Sequence, residues 1–271
     1  MKRGVVVLPV LAWPEAERVW RELEDLGFDS AWTYDHVEWH GWRDRPWYAA
    51  YPLLAAVAAR TSRIRIGTLV TSTNLHHPVT LAHQARTVDE IAGGRFELGV
   101  GAGGLGPDAT VLGNEPWTAR ERVDRFAELV SMLDDLLTAE RTTVHGEFYS
   151  ATDAPMFAPS RQAPRIPFTI AADGPRSMRV VVAHGQRWVA NLNHGALEAK
   201  VDALDAACAA AGRDPATLPR VLLVDEPTSD LRPRQVHALL GRAERLGFEE
   251  LVLRHPLDGD RRTLEAFASR E

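Results

Sequence analysis

The sequence predicts an α/β protein in which residues 1–271 form one (β/α)8 barrel domain. Apolar strand-like segments alternate with helical segments along the whole chain, and eight such strands can be counted. No linker-like or low-complexity stretch divides them. A barrel of this kind typically needs about 250 residues, which the chain length satisfies. A doubly wound open sheet is the alternative architecture.

The first half of the chain supplies four strand and helix pairs. Helices are expected near residues 15–26, 49–60, 81–93 and 118–137. The first is ended by Gly27, and the last begins with a capping box of Thr118 and Glu121. The strand segments that precede these helices or lie between them are GVVVLPV, SAWTYDH, RIRIGTLV and RFELGVGAG.

The second half of the chain resumes the pattern after one interruption. Within residues 142–165, the segment TTVHGEFYS predicts a β-hairpin, and a crossing segment with prolines follows. Helices are then expected from about residues 175, 197 and 234, with a short one at the end. The remaining strand segments are IPFTIAA, RWVANL, RVLLVDE and ELVLRHP.

Composition excludes several classes of protein. The net charge of −6 offers no basic face, so nucleic-acid binding is not expected. No uninterrupted apolar run is long enough to span a bilayer. The apolar start of the chain runs through Pro9 into an acidic helix, which fits a first barrel strand better than a signal peptide. Cys208 is the only cysteine and makes no intramolecular disulfide, so a cytoplasmic protein is expected.

Polar residues follow the second and third predicted strands, where barrel enzymes build their sites. Asp35 and His36 end the second strand, and a histidine there can donate a proton, accept a hydrogen bond or ligate a metal. Trp39 and Trp42 lie on the next loop, where they either bind a flat ligand or pack a lid or dimer contact. The polar run that begins at Thr71 either bonds a ligand or caps the next helix.

Two further loops point to an anionic ligand. Glycines in the run Gly101, Ala102, Gly103, Gly104 let backbone N–H groups approach an anion or a flat ring. The run does not match the P-loop or a well-formed Rossmann fingerprint. The segment Gly174, Pro175, Arg176, Ser177 opens a helix and is either a phosphate site or an ordinary helix start.

The adjacent pair His76 and His77 suggests a metal site at first sight. Neighbouring residues leave the backbone in different directions, and no carboxylate or histidine set at ligand spacing accompanies them. Helix-entry structure, with Pro78 in the first turn, is the preferred interpretation.

Several segments together resemble the bacterial luciferase-like superfamily of flavin- and deazaflavin-dependent oxidoreductases. The resemblance covers about residues 1–192 and matches the family in order and spacing. It implies a TIM barrel and a homodimer. The segments that carry it are LEDLGFDSAWTYDH, LAAVAARTSRIRIGT, HHPVTLAHQARTVDEIAGGRFELGVGAG and IPFTIAADGPRSMRVVVAHGQRW.

The resemblance also implies roles for particular residues. His36 matches the active-site histidine of the family, and Asp35 beside it is expected to contact the cofactor. A non-proline cis peptide is expected at Leu69–Val70 as support for the cofactor ring. The two anion-binding loops match the segments that hold the phosphate-bearing tail. Members that act on sugar phosphates with coenzyme F420 carry an acidic residue just after the glycine loop. Here that place is Gly104 or Leu105, and Asp108 is only a distant substitute.

Three classes of function remain open at this point. The favoured one is hydride transfer between F420 and a small organic substrate; the alternative is a monooxygenase that uses FMNH2 from a separate reductase. Such a reductase, for flavin or F420, is the expected partner. A metal-dependent barrel hydrolase and a non-catalytic flavin-binding relative are the other two classes.

Overall fold

The structure is a computed structural model that describes residues 1–39, 42, 44–257 and 261–269. It contains ten strands within those ranges, and eight of them close into a barrel. The strands are β1 Lys2–Val6, β2 Ser30–Asp35, β3 Arg65–Ser72, β4 Phe96–Gly101, β5 Arg141–His145, β6 Ser150–Pro155, β7 Phe168–Ala171, β8 Arg187–Asn191, β9 Arg220–Pro227 and β10 Glu250–Arg254.

Helices follow the barrel strands, as the alternating pattern predicts. They begin and end within a few residues of the predicted bounds, and the capping box of Thr118 and Glu121 is present. The helices are α1 Trp13–Asp25, α2 Ala50–Ala58, α3 Pro78–Ala92, α4 Ala119–Thr138, α5 Pro175–His184, α6 Leu197–Ala210, α7 Pro233–Arg245 and α8 Arg262–Ala268.

The strand order closes the sheet on itself. Around the barrel it runs β1-β2-β3-β4-β7-β8-β9-β10, every pair is parallel, and β10 pairs with β1. The predicted (β/α)8 barrel is confirmed, and the open-sheet alternative is wrong because its edge strands would stay unpaired. In this order β4 lies across the barrel from β10, and β3 from β9. The predicted hairpin is the antiparallel pair of β5 and β6.

Alternation along the strands sorts side chains into two apolar layers. Outward side chains pack against the helices in the larger cluster. Inward side chains fill the barrel, where Trp32 is fully buried and Tyr34 lies one step nearer the mouth. The inward cluster comprises Val6, Leu8, Trp32, Tyr34, Leu69, Val189, Val221, Leu223 and Val252.

A buried charge network closes the amino end of the barrel. Arg187 binds Glu97 at 2.9 Å and also contacts Glu250, while Arg65 contacts Glu97 at 2.5 Å. Burial raises the pKa of Glu97, but the charges of Arg187 and Arg65 more than offset that effect and leave it below its usual value. With this end filled by paired charges, a ligand can enter only from the carboxyl end of the strands.

The described helices include none that is long and apolar enough to cross a membrane. Cys208 is buried in α6 with a free thiol.

Candidate active site at the carboxyl end of the barrel

His36 follows β2 at the mouth of the barrel and is held by a carboxylate. Its Nδ1 lies 2.5 Å from Oδ2 of Asp108, and the other oxygen of Asp108 accepts the backbone N–H of Val37 at 2.9 Å. The histidine side chain is 28% exposed, whereas that of Asp108 is 7% exposed. The carboxylate is thus buried behind the imidazole, and the imidazole faces the opening.

The Asp108 carboxyl is ionised at neutral pH. Burial raises its pKa, but the hydrogen bonds from His36 and from the Val37 backbone outweigh that effect, so its pKa lies below the usual value. An ionised carboxylate only accepts hydrogen bonds, so Nδ1 of His36 carries a proton. When the imidazole is neutral, its Nε2 is then an acceptor directed away from Asp108, with no hydrogen-bond partner among the residues that the structure describes.

Asp108, a distant substitute in the sequence, is in direct contact with His36 in the fold. A short 3-10 turn, Pro107–Ala109, brings its carboxylate back onto His36. The chain lacks an acid at Gly104 but supplies one four residues later.

Aromatic side chains surround the imidazole. Tyr34 and Trp47 present their rings edge-on to His36, with centroids 6.1 and 6.3 Å away. Trp39 lies 5.2 Å from Tyr34 and 6.4 Å from Trp47. Trp42 packs on the interior cluster and carries Arg45 over its ring. Trp39 and Trp47 of this tryptophan-rich loop therefore lie with the imidazole at the mouth.

Asp35, expected to contact the cofactor, turns the other way. Its Oδ2 lies 2.6 Å from Nε2 of His76, and the pair is buried beside Tyr51 of α2. Asp35 and His36 are consecutive at the end of a strand, so their side chains point to opposite faces. The helix-entry interpretation of the histidine pair is confirmed for His77, whose ring accepts the Val79 N–H at the start of α3.

The Leu69–Val70 peptide bond is cis, as the resemblance implied. The pairing of β3 with β4 shifts register there, between Gly67 and Thr71. The two strands approach so closely that a Cβ on Gly99 would lie 1.9 Å from the carbonyl oxygen of Thr68. Thr71 lies behind this wall, where its hydroxyl meets that of Tyr51 at 2.7 Å. The β3–β4 side of the mouth is thus built of backbone and Val70.

The glycine loop after β4 is fastened by its neighbours. Gly103 has a φ of +73°, and a Cβ there would strike Asn74, whose amide also binds the Gly104 carbonyl at 3.2 Å. Arg122 of α4 donates to the Gly103 carbonyl at 2.9 Å. Gly101 ends β4 against Val70, and Ala102 packs on the outer core. No described residue would meet a Cβ on Gly104, so that point of the loop is open.

The second predicted anion site opens α5. Gly174 is the N-cap, Pro175 begins the helix, and the Ser177 hydroxyl bonds back to the Gly174 backbone. Arg176 forms an ion pair with Asp124 of α4. Its charge is therefore partly neutralised, while the space beside Gly174 is open.

The side of the mouth formed by β9 and β10, opposite β3 and β4, carries a polar group that the sequence did not indicate. The hydroxyl of Tyr34 donates to Oδ1 of Asp225 at 2.7 Å, and Arg254 approaches the same oxygen at 3.5 Å. Inward-facing positions at the ends of β9 and β10 could have been found by counting alternate residues along those strands.

Two other features bear on ligand binding. Among the described residues, no group of three or more His, Cys, Asp or Glu side chains gathers as a metal site would require. A cavity of about 350 Å³ adjoins the loop after β3 and is lined by Asn74, Trp117, Arg125 and Phe148 among others.

Comparisons with known proteins agree with this geometry. The chain is 35% identical over 176 residues to an F420-dependent glucose-6-phosphate dehydrogenase of Beutenbergia cavernae, covering 64% of this chain and 51% of the relative. It is 34% identical over 175 residues to a 4-hydroxyprotoasukamycin monooxygenase of Streptomyces nodosus subsp. asukaensis, covering 62% and 46%. The chain spans about half the length of the curated relatives it matches.

Solved structures share the fold over nearly the whole chain. An F420-dependent secondary alcohol dehydrogenase in complex with an F420-acetone adduct superposes with a TM-score of 0.82 at 18% identity, covering 98% of this chain and 97% of that one. The sequence model of the family described as luciferase-like monooxygenase matches residues 1–225. The chain therefore belongs to the luciferase-like monooxygenase family.

Proposed function

We propose that this protein is an F420-dependent oxidoreductase that transfers hydride to or from a small organic substrate. The observation that carries the proposal is the His36–Asp108 pair, which commits Nδ1 of an imidazole at the barrel mouth and leaves Nε2 as its acceptor atom. The family contains F420-dependent dehydrogenases similar to this chain, and one of them acts on glucose 6-phosphate.

The residues at the mouth fit a flat ring with an anionic tail. Gly99 and Gly101 keep the β4 side of the mouth free of side chains, so that Val70 is the surface a ring would meet. Gly104 and Gly174 are open points on two adjacent loops, where backbone groups are accessible to a tail. Arg176 is the cation among the residues predicted to hold the tail, and it forms an ion pair with Asp124.

His36 has a defined part in such a reaction. When bound, F420 supplies the carbon that accepts or donates the hydride. Removal of hydride from an alcohol carbon leaves the hydroxyl proton to be taken up by a base. Nε2 of His36 accepts it, because Nδ1–H is already committed to Asp108. In the reverse direction the imidazolium returns the proton to the carbonyl oxygen.

Asp108 is a positioning residue in this scheme. Its carboxylate fixes the tautomer and orientation of His36 and stabilises the imidazolium that forms. The aromatic rings of Tyr34, Trp39 and Trp47 limit the access of water to the imidazole. Trp39 and Trp42 are proposed to contact the substrate.

A monooxygenase that uses FMNH2 is the second candidate. It is favoured by the similarity to the Streptomyces monooxygenase over 62% of the chain. A separate reductase would then supply the reduced flavin. Assembly as a homodimer stays a prediction for either function.

Equilibrium binding distinguishes the two candidates. Protein free of cofactor is titrated with F420 and, separately, with FMN, and the fluorescence of the cofactor is followed. We expect a lower Kd for F420. Tight binding of FMN with no binding of F420 would overturn the proposal in favour of the monooxygenase.

A further inference from the structure

The β9–β10 side of the mouth faces the β3–β4 side, which is built of backbone and Val70. Asp225 lies near the end of β9 and Arg254 ends β10, across the barrel from Val70 and Gly101. The inference below rests on the proposed function, which puts the cofactor ring against β3 and β4. A substrate that lies on the cofactor ring then contacts the β9–β10 side of the mouth.

Arg254 has unused capacity to bind an acceptor. Its side chain is 15% exposed, and its buried Nε–H donates no hydrogen bond to any residue the structure describes. The oxygen of Asp225 is 3.5 Å away, an ion-pair distance without a hydrogen bond. The guanidinium stands over the Trp39 ring, 5.5 Å from its centroid. It is therefore held at the mouth by stacking rather than by a directed bond.

Asp225 neutralises this charge only in part. The oxygen nearest Arg254 already accepts the Tyr34 hydroxyl at 2.7 Å. Burial raises the pKa of Asp225, and neither the Tyr34 hydrogen bond nor the charge of Arg254 cancels that rise. The pairing itself is weak in geometry, because the oxygen that Arg254 approaches is shared with Tyr34 and lies 3.5 Å from Nε.

A second donor at the mouth also lacks an acceptor. The indole N–H of Trp47 is buried and has no partner within the described ranges. A buried donor left unpaired destabilises the folded protein, and a ligand oxygen that accepts its hydrogen bond removes that penalty. Both unpaired donors belong to side chains that contact Trp39. The site is thus rich in donors and aromatic surface.

We propose that Arg254 binds an oxyanion of the substrate, a carboxylate or a phosphate, while Trp39 packs on the adjoining apolar part. A guanidinium can bind two oxygens of either group through parallel hydrogen bonds. The substrate class of this site is therefore a small organic acid or phosphate ester with an apolar or aromatic body.

Calorimetric titration of the cofactor-free protein tests this with three probes of similar shape. Benzoate and phenyl phosphate carry an oxyanion, and benzamide is the neutral counterpart. We expect at least one anion to bind about tenfold or more tightly than benzamide, the range of a charge-assisted hydrogen bond. The anion that binds with the lower Kd shows whether the site prefers a carboxylate or a phosphate ester.

Variants assign that preference to Arg254. Arg254→Gln should remove it, and Arg254→Lys, which keeps the charge, should retain part of it. The matched control is Arg45→Gln, which removes an exposed cation stacked on Trp42 at the same mouth. That control should leave the preference unchanged. Thermal melts establish that each variant is folded.

Asp225→Asn changes the affinity for the anionic probes only if Asp225 competes with the ligand for Arg254, and a purely structural ion pair would leave that affinity unchanged. Loss of the competing carboxylate should strengthen anion binding, while the amide oxygen still accepts the Tyr34 hydroxyl. Equal affinities for all three probes, or an unchanged preference in folded Arg254→Gln, would overturn the inference. Because no cofactor is present, these outcomes do not depend on F420 binding, so the two proposals can fail separately.

Discussion

Replacement of Asp108 by asparagine should prevent His36 from acting as a base while its side chain stays in place. The carboxylate accepts Nδ1–H of His36 at 2.5 Å and the Val37 N–H at 2.9 Å. An asparagine keeps an oxygen for the Val37 N–H but turns an NH2 group toward the imidazole. That group donates to Nδ1, so the single proton of the neutral ring moves to Nε2. Nε2 can then no longer accept the substrate proton.

The expected loss follows from that change of tautomer. A general base contributes about 10²–10⁴-fold to a rate, so kcat should fall by about 100-fold or more. KM and the Kd for cofactor should change little, because Asp108 is buried behind the imidazole and touches neither proposed ligand. The free energy of unfolding should fall by about 1.5–3 kcal/mol, the value of a hydrogen bond to a charged group.

Two assays check the prediction. Nitrogen NMR of the His36 ring should show Nδ1–H in the wild type and Nε2–H in Asp108→Asn, and this needs no substrate. Turnover of reduced or oxidised F420 then gives kcat. Asp134→Asn is the matched control, because Asp134 meets His184 at 2.8 Å in the helix layer. Wild-type kcat in folded Asp108→Asn, or an Nε2–H tautomer in the wild type, would refute the reasoning.

Three further outcomes are expected. His36→Ala should lower kcat by about 10²–10⁴-fold with the cofactor Kd unchanged; near-normal turnover would reduce His36 to a packing role. Gly104→Val should weaken cofactor binding in titrations and leave the Tm unchanged, since no described residue lies within 4 Å of a Cβ there; Gly106→Val, where the same holds, is the control. Burial and the charge of Arg261 lower the pKa of His255 from 6.5 to about 4. The neutral imidazole therefore contributes its full stabilisation of the fold above pH 6.5, and that stabilisation is lost as the pH falls toward 4. Denaturant titrations should show up to about 3 kcal/mol of that loss, and His255→Asn should not.

The barrel was predictable because parallel strands buried on both faces read as apolar runs. Segments such as RVLLVDE and ELVLRHP are of this kind, and each lies next to a helix with its own start and stop residues. Helix caps such as Thr118 with Glu121 fixed the bounds closely.

The site was only partly predictable. His36 and the glycine loop follow from their places at strand ends, but the contact of His36 with Asp108 joins residues 72 apart through a loop without periodicity. Loop geometry of that kind is set by tertiary packing, which no local pattern encodes. The direction of the Asp35 side chain could have been predicted from the sequence, because Asp35 and His36 are consecutive strand residues and the side chains of such residues face opposite sides of the sheet.

A structure of the protein with F420 bound tests the central claim most directly. We expect the ring to lie against Val70 and the Gly99–Gly101 wall, with Nε2 of His36 facing it from the end of the neighbouring strand β2. A ring bound elsewhere, for instance in the cavity beside Trp117, with His36 out of reach, would contradict the account.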